Sequence, residues 1–216
     1  NLNFRRMQLS DLIEKHQATY GVELDRPALV AMNRFWDLIR SGNELLHLVA
    51  PCSAEEFATR HVLESLTLLA RFPKNARFAD VGTGGGLPAI PCLIARADLR
   101  AFLIESKAKK SAFLQETLNL CGVAQRAVVI NRQFEEIPVP DAGFVTCRAL
   151  DKFSAKVSRL IKWANRRPLL LFGGPNIAEA LSAAGVLSES QLMPASERRY
   201  LFVCEPVRNQ RIVNVK

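Results

Sequence analysis

The residues with the clearest chemical signature are three alternating glycines that follow a short apolar run. The segment reads Phe78-Ala-Asp-Val-Gly-Thr-Gly-Gly-Gly-Leu-Pro88, so Asp80 precedes Gly82, Gly84 and Gly86. Glycines reach backbone conformations that are closed to residues with a Cβ, and they let a ligand approach the main chain closely. Proline suits a first helical turn, where its missing N–H costs nothing. The pattern therefore predicts a strand, a cofactor-binding loop for a nucleotide-type ligand, and a helix.

The spacing of the glycines distinguishes between two kinds of cofactor loop. A dinucleotide loop has the pattern Gly-x-Gly-x-x-Gly, and Leu87 stands where its third glycine belongs. The shorter Gly-x-Gly-x-Gly after an acidic residue resembles motif I of the class I S-adenosylmethionine-dependent methyltransferases. That resemblance implies adenosylmethionine as the cofactor, bound by Asp80, the three glycines and Leu87. Taken alone, the same glycines are also typical of an ordinary flexible turn.

An acidic residue at the end of the next apolar run supports a nucleoside site. Ala101-Phe-Leu-Ile104 is a continuous apolar run of the kind found in strands covered on both faces, and Glu105 follows it. A carboxylate at the tip of the second strand can accept hydrogen bonds from both ribose hydroxyls of an adenosine. We therefore expect Glu105 to bind the ribose. The alternative is a solvated strand end or a cap for the next helix.

The composition is that of one globular unit. The chain has 216 residues, 49% hydrophobic and 23% charged, and no apolar run approaches the roughly 20 residues that a membrane span needs. Arg5 and Arg6 are followed by polar residues, not by the apolar stretch of a signal peptide. We expect a cytoplasmic protein that does not associate with membranes and acts as a monomer.

Cysteine and histidine usage argues against a metal site. The five cysteines are odd in number and widely spaced, without a Cys-x-x-Cys pair, and the three histidines are scattered. We interpret the cysteines as buried free thiols. The sequence thus predicts neither disulfides nor a bound metal.

A basic charge balance predicts an anionic partner. The net charge is +8, from 29 Lys and Arg against 21 Asp and Glu. Phosphate contacts give affinity for nucleic acid without base specificity, so RNA or DNA is the simplest partner. Eleven of these cations lie in three clusters: Lys107, Lys109 and Lys110; Arg159, Lys162, Arg166 and Arg167; and Arg198, Arg199, Arg208 and Arg211.

The order of predicted elements indicates an α/β fold with a helical N-terminal extension. Residues 1–72 carry three helical patterns, at 10–17, 27–40 and from Ser53, whose Ser53-x-x-Glu56 is a capping box, to about 72. Residues 73–216 then alternate between strands and helices, which predicts a mostly parallel, doubly wound, Rossmann-like sheet with helices on both faces. The predicted strands are 78–81, 101–105, 127–131, 143–147 and 168–172, with an antiparallel edge hairpin near 191–193 and 200–203. The predicted helices between and after them are 88–96, 108–121, 152–165 and 176–184.

Ligands of such sheets bind beyond the carboxyl ends of the strands, where the strand order reverses. The segments expected to line the site therefore follow from the strand positions. They are residues 82–87, 105–107, 131–136, 147–150 and 173–176.

With those loops placed, the chain resembles the RsmG family, also called GidB, between about Arg34 and Pro175. This family methylates guanine N7 in the 530 loop of 16S ribosomal RNA. Five motifs in the family's order and spacing carry the resemblance: Arg60-His-Val-Leu-Glu-Ser65, the glycine segment from Asp80 to Pro91, Glu105-Ser-Lys-Ala-Lys-Lys-Ser-Ala-Phe-Leu114, Arg132-Gln-Phe-Glu-Glu136 and Cys147-Arg-Ala149.

The resemblance implies further site residues. Phe134 and Glu135 would lie near the adenine, and Arg148 near the methionine end of the cofactor and the RNA target. The family's partner is 16S rRNA or the small ribosomal subunit, and the basic cluster after the second strand then predicts that Lys109 and Lys110 contact this RNA. Methylation of N7 needs no prior deprotonation, because that nitrogen has a free lone pair. We therefore predict no catalytic acid or base.

Two departures from the family pattern leave the RNA substrate more open than the cofactor. His47-Leu48-Val49 replaces Asn-Leu-Thr, and Phe172-Gly173-Gly174 replaces Leu-Lys-Gly. Two alternatives stay open at this point. One is an adenosylmethionine-dependent methyltransferase of a different RNA, a protein or a small molecule; the other is a non-catalytic protein that binds the cofactor and RNA.

Overall fold

The computed structural model describes residues 7–148 and 152–205, which form a seven-stranded sheet with helices on both faces. The helices are α1 (Leu9–His16), α2 (Arg26–Leu46), α3 (Ala54–Glu56), α4 (Glu64–Leu66), α5 (Ala89–Ala95), α6 (Ala108–Leu120), α7 (Phe153–Ala164) and α8 (Pro175–Ala183). The strands are β1 (Arg77–Val81), β2 (Arg100–Ile104), β3 (Ala127–Ile130), β4 (Phe144–Cys147), β5 (Leu169–Gly173), β6 (Glu189–Leu192) and β7 (Tyr200–Cys204). Short 3₁₀ helices cover Gln17–Tyr20, Thr67–Arg71, Ala124–Arg126 and Phe134–Glu136.

The strand order is β3-β2-β1-β4-β5-β7-β6, with β1 to β5 parallel and β7 antiparallel to both β5 and β6. The chain runs outward from β1 in one direction to β3 and then in the other direction from β4. The order therefore reverses between β1 and β4, so the carboxyl ends of these strands form the crevice where ligands bind in such sheets. The predicted mostly parallel sheet and antiparallel edge hairpin are confirmed.

Alternate residues of the central strands pack into different halves of the core. Leu170 and Phe172 belong to the apolar cluster on one face, whereas Leu169 and Leu171 belong to the cluster on the other. This arrangement explains the continuous apolar runs in the sequence, because a strand covered on both faces has no polar side. Helices α7 and α8 contribute to the second cluster, and the N-terminal helices contribute to the first.

The helical N-terminal segment differs from its prediction in two details. Helix α2 continues to Leu46, beyond the predicted end at residue 40, because Asn43 caps the amides that follow the helix. The predicted third helix starts with the expected Ser53–Glu56 capping box, but its middle, Phe57–Leu63, is a π-helical segment. The helix after the glycines begins at Ala89, with Pro88 at the preceding cap position.

Candidate functional site

The glycine loop lies at the carboxyl end of β1, as predicted. Gly82, Gly84 and Gly86 all have positive φ values, of 66°, 57° and 88°. These conformations are strained for residues with a Cβ, so the sequence pattern has a direct backbone reason. The Gly82 N–H donates to the Ile104 carbonyl of the neighbouring strand at 2.9 Å. A Cβ at Gly84 would meet nothing closer than the Gly82 carbonyl, at 3.8 Å, so space is open above this residue.

Glu105 holds the glycine loop from the tip of β2. Its carboxylate accepts the Gly84 N–H at 3.1 Å through one oxygen and the Lys107 N–H at 2.8 Å through the other. The side chain of Asn131, at the end of β3, donates to the Glu105 carbonyl at 2.9 Å. The residue is only 6% exposed. Each carboxylate oxygen has a second lone pair, so this geometry leaves acceptor capacity for ribose hydroxyls.

Asp80 lies beneath the loop. Its side chain is fully buried and accepts a hydrogen bond from the Thr146 hydroxyl of β4 at 2.9 Å. Burial raises the pKa of Asp80 to about 7. The second carboxylate oxygen of Asp80 and the Thr83 hydroxyl have no protein partner among the described residues. The structure thus places Asp80 below the predicted ligand surface and links β1 to β4 through it.

A small cleft joins the glycine loop to the segment after β3. Its lining includes Gly82, Ser106, Arg132, Phe134 and Glu135, which come from three of the predicted loops. It also includes Lys156 of α7, which no sequence motif singled out. The structure therefore brings three of the five predicted site segments together at the crevice.

Aromatic packing and an ion pair fix the Phe134–Glu136 turn. The ring of Phe134 is buried and meets the edge of Trp163, with ring centroids 5.6 Å apart. The Glu135 carboxylate lies 3.9 Å from the Arg159 guanidinium. Leu87, the last residue of the loop that is predicted to bind cofactor, is buried.

Arg148 contacts the π-helical segment and not the cleft. It donates to the carbonyl of Arg60, to the carbonyl of His61 at 3.2 Å and to the Ser65 hydroxyl at 3.1 Å. Its guanidinium lies 3.6 Å from the Glu64 carboxylate, and only 15% of the side chain is exposed. Burial lowers the pKa of Arg148, and the Glu64 carboxylate opposes that effect. Its predicted contacts to cofactor and RNA therefore require different hydrogen bonds from those seen here.

Glu64 is the centre of a buried ionic cluster that the sequence did not reveal. This carboxylate is 2% exposed and also lies 2.8 Å from the Arg199 guanidinium, which precedes β7. Burial raises the pKa of Glu64, while Arg148 and Arg199 lower it. The cluster joins α4, the end of β4 and the edge hairpin.

His61 is neutral in this environment. Its ring packs against Phe57, and its Nδ1 lies 3.4 Å from the guanidinium of Arg148. Burial and the nearby cations Arg148 and Arg60 lower the pKa of His61 to about 3.

The two lysines predicted to contact RNA are in different environments. Lys109 is exposed, whereas Lys110 is half-buried and donates to the His47 carbonyl at 3.1 Å. Two cations line the cleft, the exposed Arg132 and the half-buried Lys156, and Lys107 and Lys109 are exposed in the segment that follows β2. Ala149 and Leu150 of the fourth predicted site segment, and Arg208 and Arg211 of the C-terminal cluster, lie outside the described residues.

Three structural features are absent from the described residues: metal-binding clusters of side chains, membrane-spanning helices and disulfides. Within residues 7–148 and 152–205, no group of three His, Cys, Asp or Glu side chains could hold a metal ion. None of the helices in those ranges combines the length and apolarity that membrane crossing requires. Four of the cysteines are buried and Cys52 is half-buried, and all five are free thiols.

Comparison with known proteins identifies the family. The family model for GidB, rRNA small subunit methyltransferase G, matches residues 28–176. A ribosomal RNA small subunit methyltransferase G of Desulfotalea psychrophila is 36% identical over 138 residues, which cover 62% of this chain and 64% of the relative. The enzyme of the same name from Gluconobacter oxydans is 37% identical over 139 residues, which cover 64% of this chain and 67% of the relative. The matched region thus spans about two thirds of these relatives' length, and the family prediction is confirmed.

A solved structure supports the fold. A SAM-dependent methyltransferase from Aquifex aeolicus superposes with a TM-score of 0.54 at 14% identity, over 67% of this chain and 90% of that one. At this identity the likeness concerns the fold alone. The prediction of a Rossmann-like methyltransferase fold is confirmed.

Proposed function

We propose that this chain, which belongs to the GidB family of rRNA small subunit methyltransferases, transfers a methyl group from S-adenosylmethionine to N7 of a guanine in the 530 loop of 16S rRNA. The observation that carries the proposal is the hydrogen bond from Gly84 to Glu105, which joins a positive-φ glycine loop to a carboxylate at the next strand end. The partner is 16S rRNA or the small ribosomal subunit, and we expect a cytoplasmic, monomeric enzyme.

The residues of the crevice fit adenosylmethionine. Gly84 offers open space next to its main chain, and Glu105 retains lone pairs for ribose hydroxyls. Phe134 and Glu135 line the cleft beside the glycine loop, where we expect the adenine to bind. The cofactor supplies an electrophilic methyl group on a sulfonium, which a lone pair can attack directly.

The chain's own contribution to the reaction is positioning. Guanine N7 already has its lone pair, so the protein needs no general base, and none of the residues described at the crevice is assigned that role. The Glu105 contacts and the glycine loop would fix the methyl donor, and the walls of the crevice would exclude water. Holding two reactants in line in this way can lower a barrier by roughly 7 to 11 kcal/mol.

Arg148 takes a positioning role in this proposal. Its hydrogen bonds hold the π-helical segment and Ser65 against the end of β4, the strand that borders the crevice. Direct contact of Arg148 with the cofactor or with RNA remains part of the prediction from the family pattern.

The rim of the crevice has the charge that an RNA substrate needs. Arg132 and Lys156 line its cleft, and Lys107 and Lys109 are exposed directly after Glu105. Neutralising phosphates releases condensed counterions, so RNA affinity should fall steeply as salt increases. A methyltransferase acting on a small molecule would be much less sensitive to salt.

The test is methyl transfer to small ribosomal subunits and to naked 16S rRNA from a strain that lacks the modification. We expect one methyl group per 16S molecule, on a guanine of the 530 loop, and no transfer with Glu105→Ala. Incorporation at another nucleotide would indicate a different RNA substrate. Cofactor and RNA binding without transfer to any ribosomal substrate would favour the non-catalytic alternative.

A further inference from the structure

The segment 47–49, after α2, lies against the back of the glycine loop. An added Cβ on Gly85 would approach the Leu48 Cβ to 3.2 Å and the Ile39 Cδ1 to 3.1 Å. An added Cβ on Gly42 of α2 would approach the Leu48 Cδ1 to 3.2 Å. Leu48 therefore packs closely between α2 and the glycine loop. The face of the loop that carries Gly85 is thus supported by the N-terminal helical segment.

Asn43 fixes this segment through its side chain. Its Oδ1 accepts the N–H groups of Leu48 at 2.7 Å and of Val49 at 3.0 Å, and its own carbonyl accepts the His47 N–H at 3.0 Å. One residue thus satisfies three consecutive amides at the end of the helix. His47 itself has a left-handed backbone conformation, with φ of 48°. Such a conformation is strained in a non-glycine residue and persists only where its surroundings hold it.

Lys110 fixes the same segment from the opposite side. Its Nζ donates to the His47 carbonyl at 3.1 Å, and Lys110 lies in the first turn of α6, directly after the Glu105 segment. The contacts described here therefore form a continuous circuit around the glycine loop. It runs from Asn43 through residues 47–49 to Gly85, along the loop to Gly84, across to Glu105, and back through Lys110.

We propose that Asn43 and Lys110 are positioning residues for the cofactor site. They hold residues 47–49 behind the glycine loop, so that the Gly84 N–H stays on the Glu105 carboxylate. The inference rests on the proposed function, because it takes the crevice next to Gly84 and Glu105 as the cofactor site. It also gives Lys110 a different role from the RNA contact that the sequence predicted.

The experiment is calorimetric titration of the full 216-residue chain with adenosylhomocysteine, the demethylated product, at a temperature well below each variant's Tm. Asn43→Ala removes the acceptor of two amides, and we expect the Kd to increase about tenfold. Asn43→Asp keeps the acceptor, so its Kd should stay within about threefold of wild type. Lys110→Met should increase the Kd, whereas Lys109→Met, an exposed neighbour, should not.

RNA binding provides a readout that separates the two roles of Lys110. If the Lys110 ammonium binds an RNA phosphate, Lys110→Met should lower the slope of log affinity against log salt by about 1. The positioning role predicts an unchanged slope together with a weaker affinity for adenosylhomocysteine. If Asn43→Ala does not fold, the Kd values of Lys110→Met and Lys109→Met for adenosylhomocysteine test the positioning role instead.

Three results would overturn the inference, the third of them for Lys110 alone. Normal binding of adenosylhomocysteine by wild type, Asn43→Ala and Lys110→Met alike would overturn it alone and leave the proposed function intact. Failure of the wild-type chain to bind adenosylhomocysteine would overturn both. A lower salt slope with an unchanged Kd in Lys110→Met would assign that lysine to RNA.

Discussion

Alanine substitutions at three positive-φ glycines separate backbone strain from ligand contact. Gly84 and Gly86 lie in the glycine loop, and Gly21 lies after a 3₁₀ helix in the N-terminal segment. A Cβ at Gly21 would meet nothing within 4 Å, and one at Gly84 would meet only the Gly82 carbonyl at 3.8 Å. Gly21→Ala is therefore a matched control for Gly84→Ala, because both add strain without a steric clash.

The expected stability changes follow from these surroundings. A left-handed conformation costs a residue with a Cβ about 1 to 2 kcal/mol, and the stiffer unfolded chain returns about 0.4 to 1 kcal/mol. Gly21→Ala and Gly84→Ala should each lower the free energy of unfolding by about 1 kcal/mol. Gly86→Ala should cost about 1 to 3 kcal/mol more, since its Cβ would lie 2.7 Å from the Cγ1 of the fully buried Ile90.

Ligand binding should separate Gly84 from its control. The methyl group of Gly84→Ala would occupy the open space where we expect the cofactor to meet the main chain. We expect the Kd for adenosylhomocysteine to increase tenfold or more, which corresponds to about 1.4 kcal/mol. Gly21→Ala should bind as wild type does. The measurements are urea unfolding and calorimetric titration, and equal affinities of Gly84→Ala and Gly21→Ala would refute the placement of the cofactor on this loop.

Three further predictions concern buried ionisable groups, each measured by urea unfolding. Glu64→Ala should lower the free energy of unfolding by about 3 kcal/mol, because it removes the buried oxygen atoms that face Arg148 and Arg199. Glu64→Gln keeps one of these oxygen atoms and should lose less, and equal, small losses would contradict the cluster. Burial raises the pKa of Asp80 to about 7. Between about pH 4 and pH 7 this carboxyl group is therefore protonated in the folded protein and ionised in the unfolded chain. The contribution of Asp80 to the free energy of unfolding is therefore greatest below about pH 4, and it decreases by about 1.4 kcal/mol per pH unit up to pH 7. Asp80→Asn should remove this decrease. The pKa of His61 is lowered to about 3, so the unfolded chain gains the proton first as pH falls below 6.5. Between pH 7 and pH 5, the free energy of unfolding of His61→Gln should therefore decrease by about 1 to 2 kcal/mol less than that of wild type. Parallel plots of unfolding free energy against pH for the two proteins would contradict this.

Local patterns in the sequence were sufficient to predict the crevice. Apolar runs marked β1 and β2, and the residues that end them, the glycines and Glu105, follow from the requirement that ligands bind beyond strand ends. The predicted position of Phe134 after β3 is also observed. Each of these features depends on residues that are a few positions apart, so a single sequence is enough to predict it.

The supporting contacts could not be predicted in the same way. Glu64 and Arg199 are far apart in sequence, and only the fold brings them to 2.8 Å. Asn43 lies within a helix, where an asparagine carries no signal that it will cap amides five and six residues later. Arg148 was predicted at the correct strand end, but the direction of its side chain depends on carbonyls of the π-helical segment.

The most direct test of the central claim is a crystal structure of this chain with adenosylhomocysteine. The account predicts both ribose hydroxyls within hydrogen-bonding distance of the Glu105 carboxylate and the adenine beside Phe134. Adenosylhomocysteine bound elsewhere on the chain, or at the crevice with its ribose away from Glu105, would contradict it.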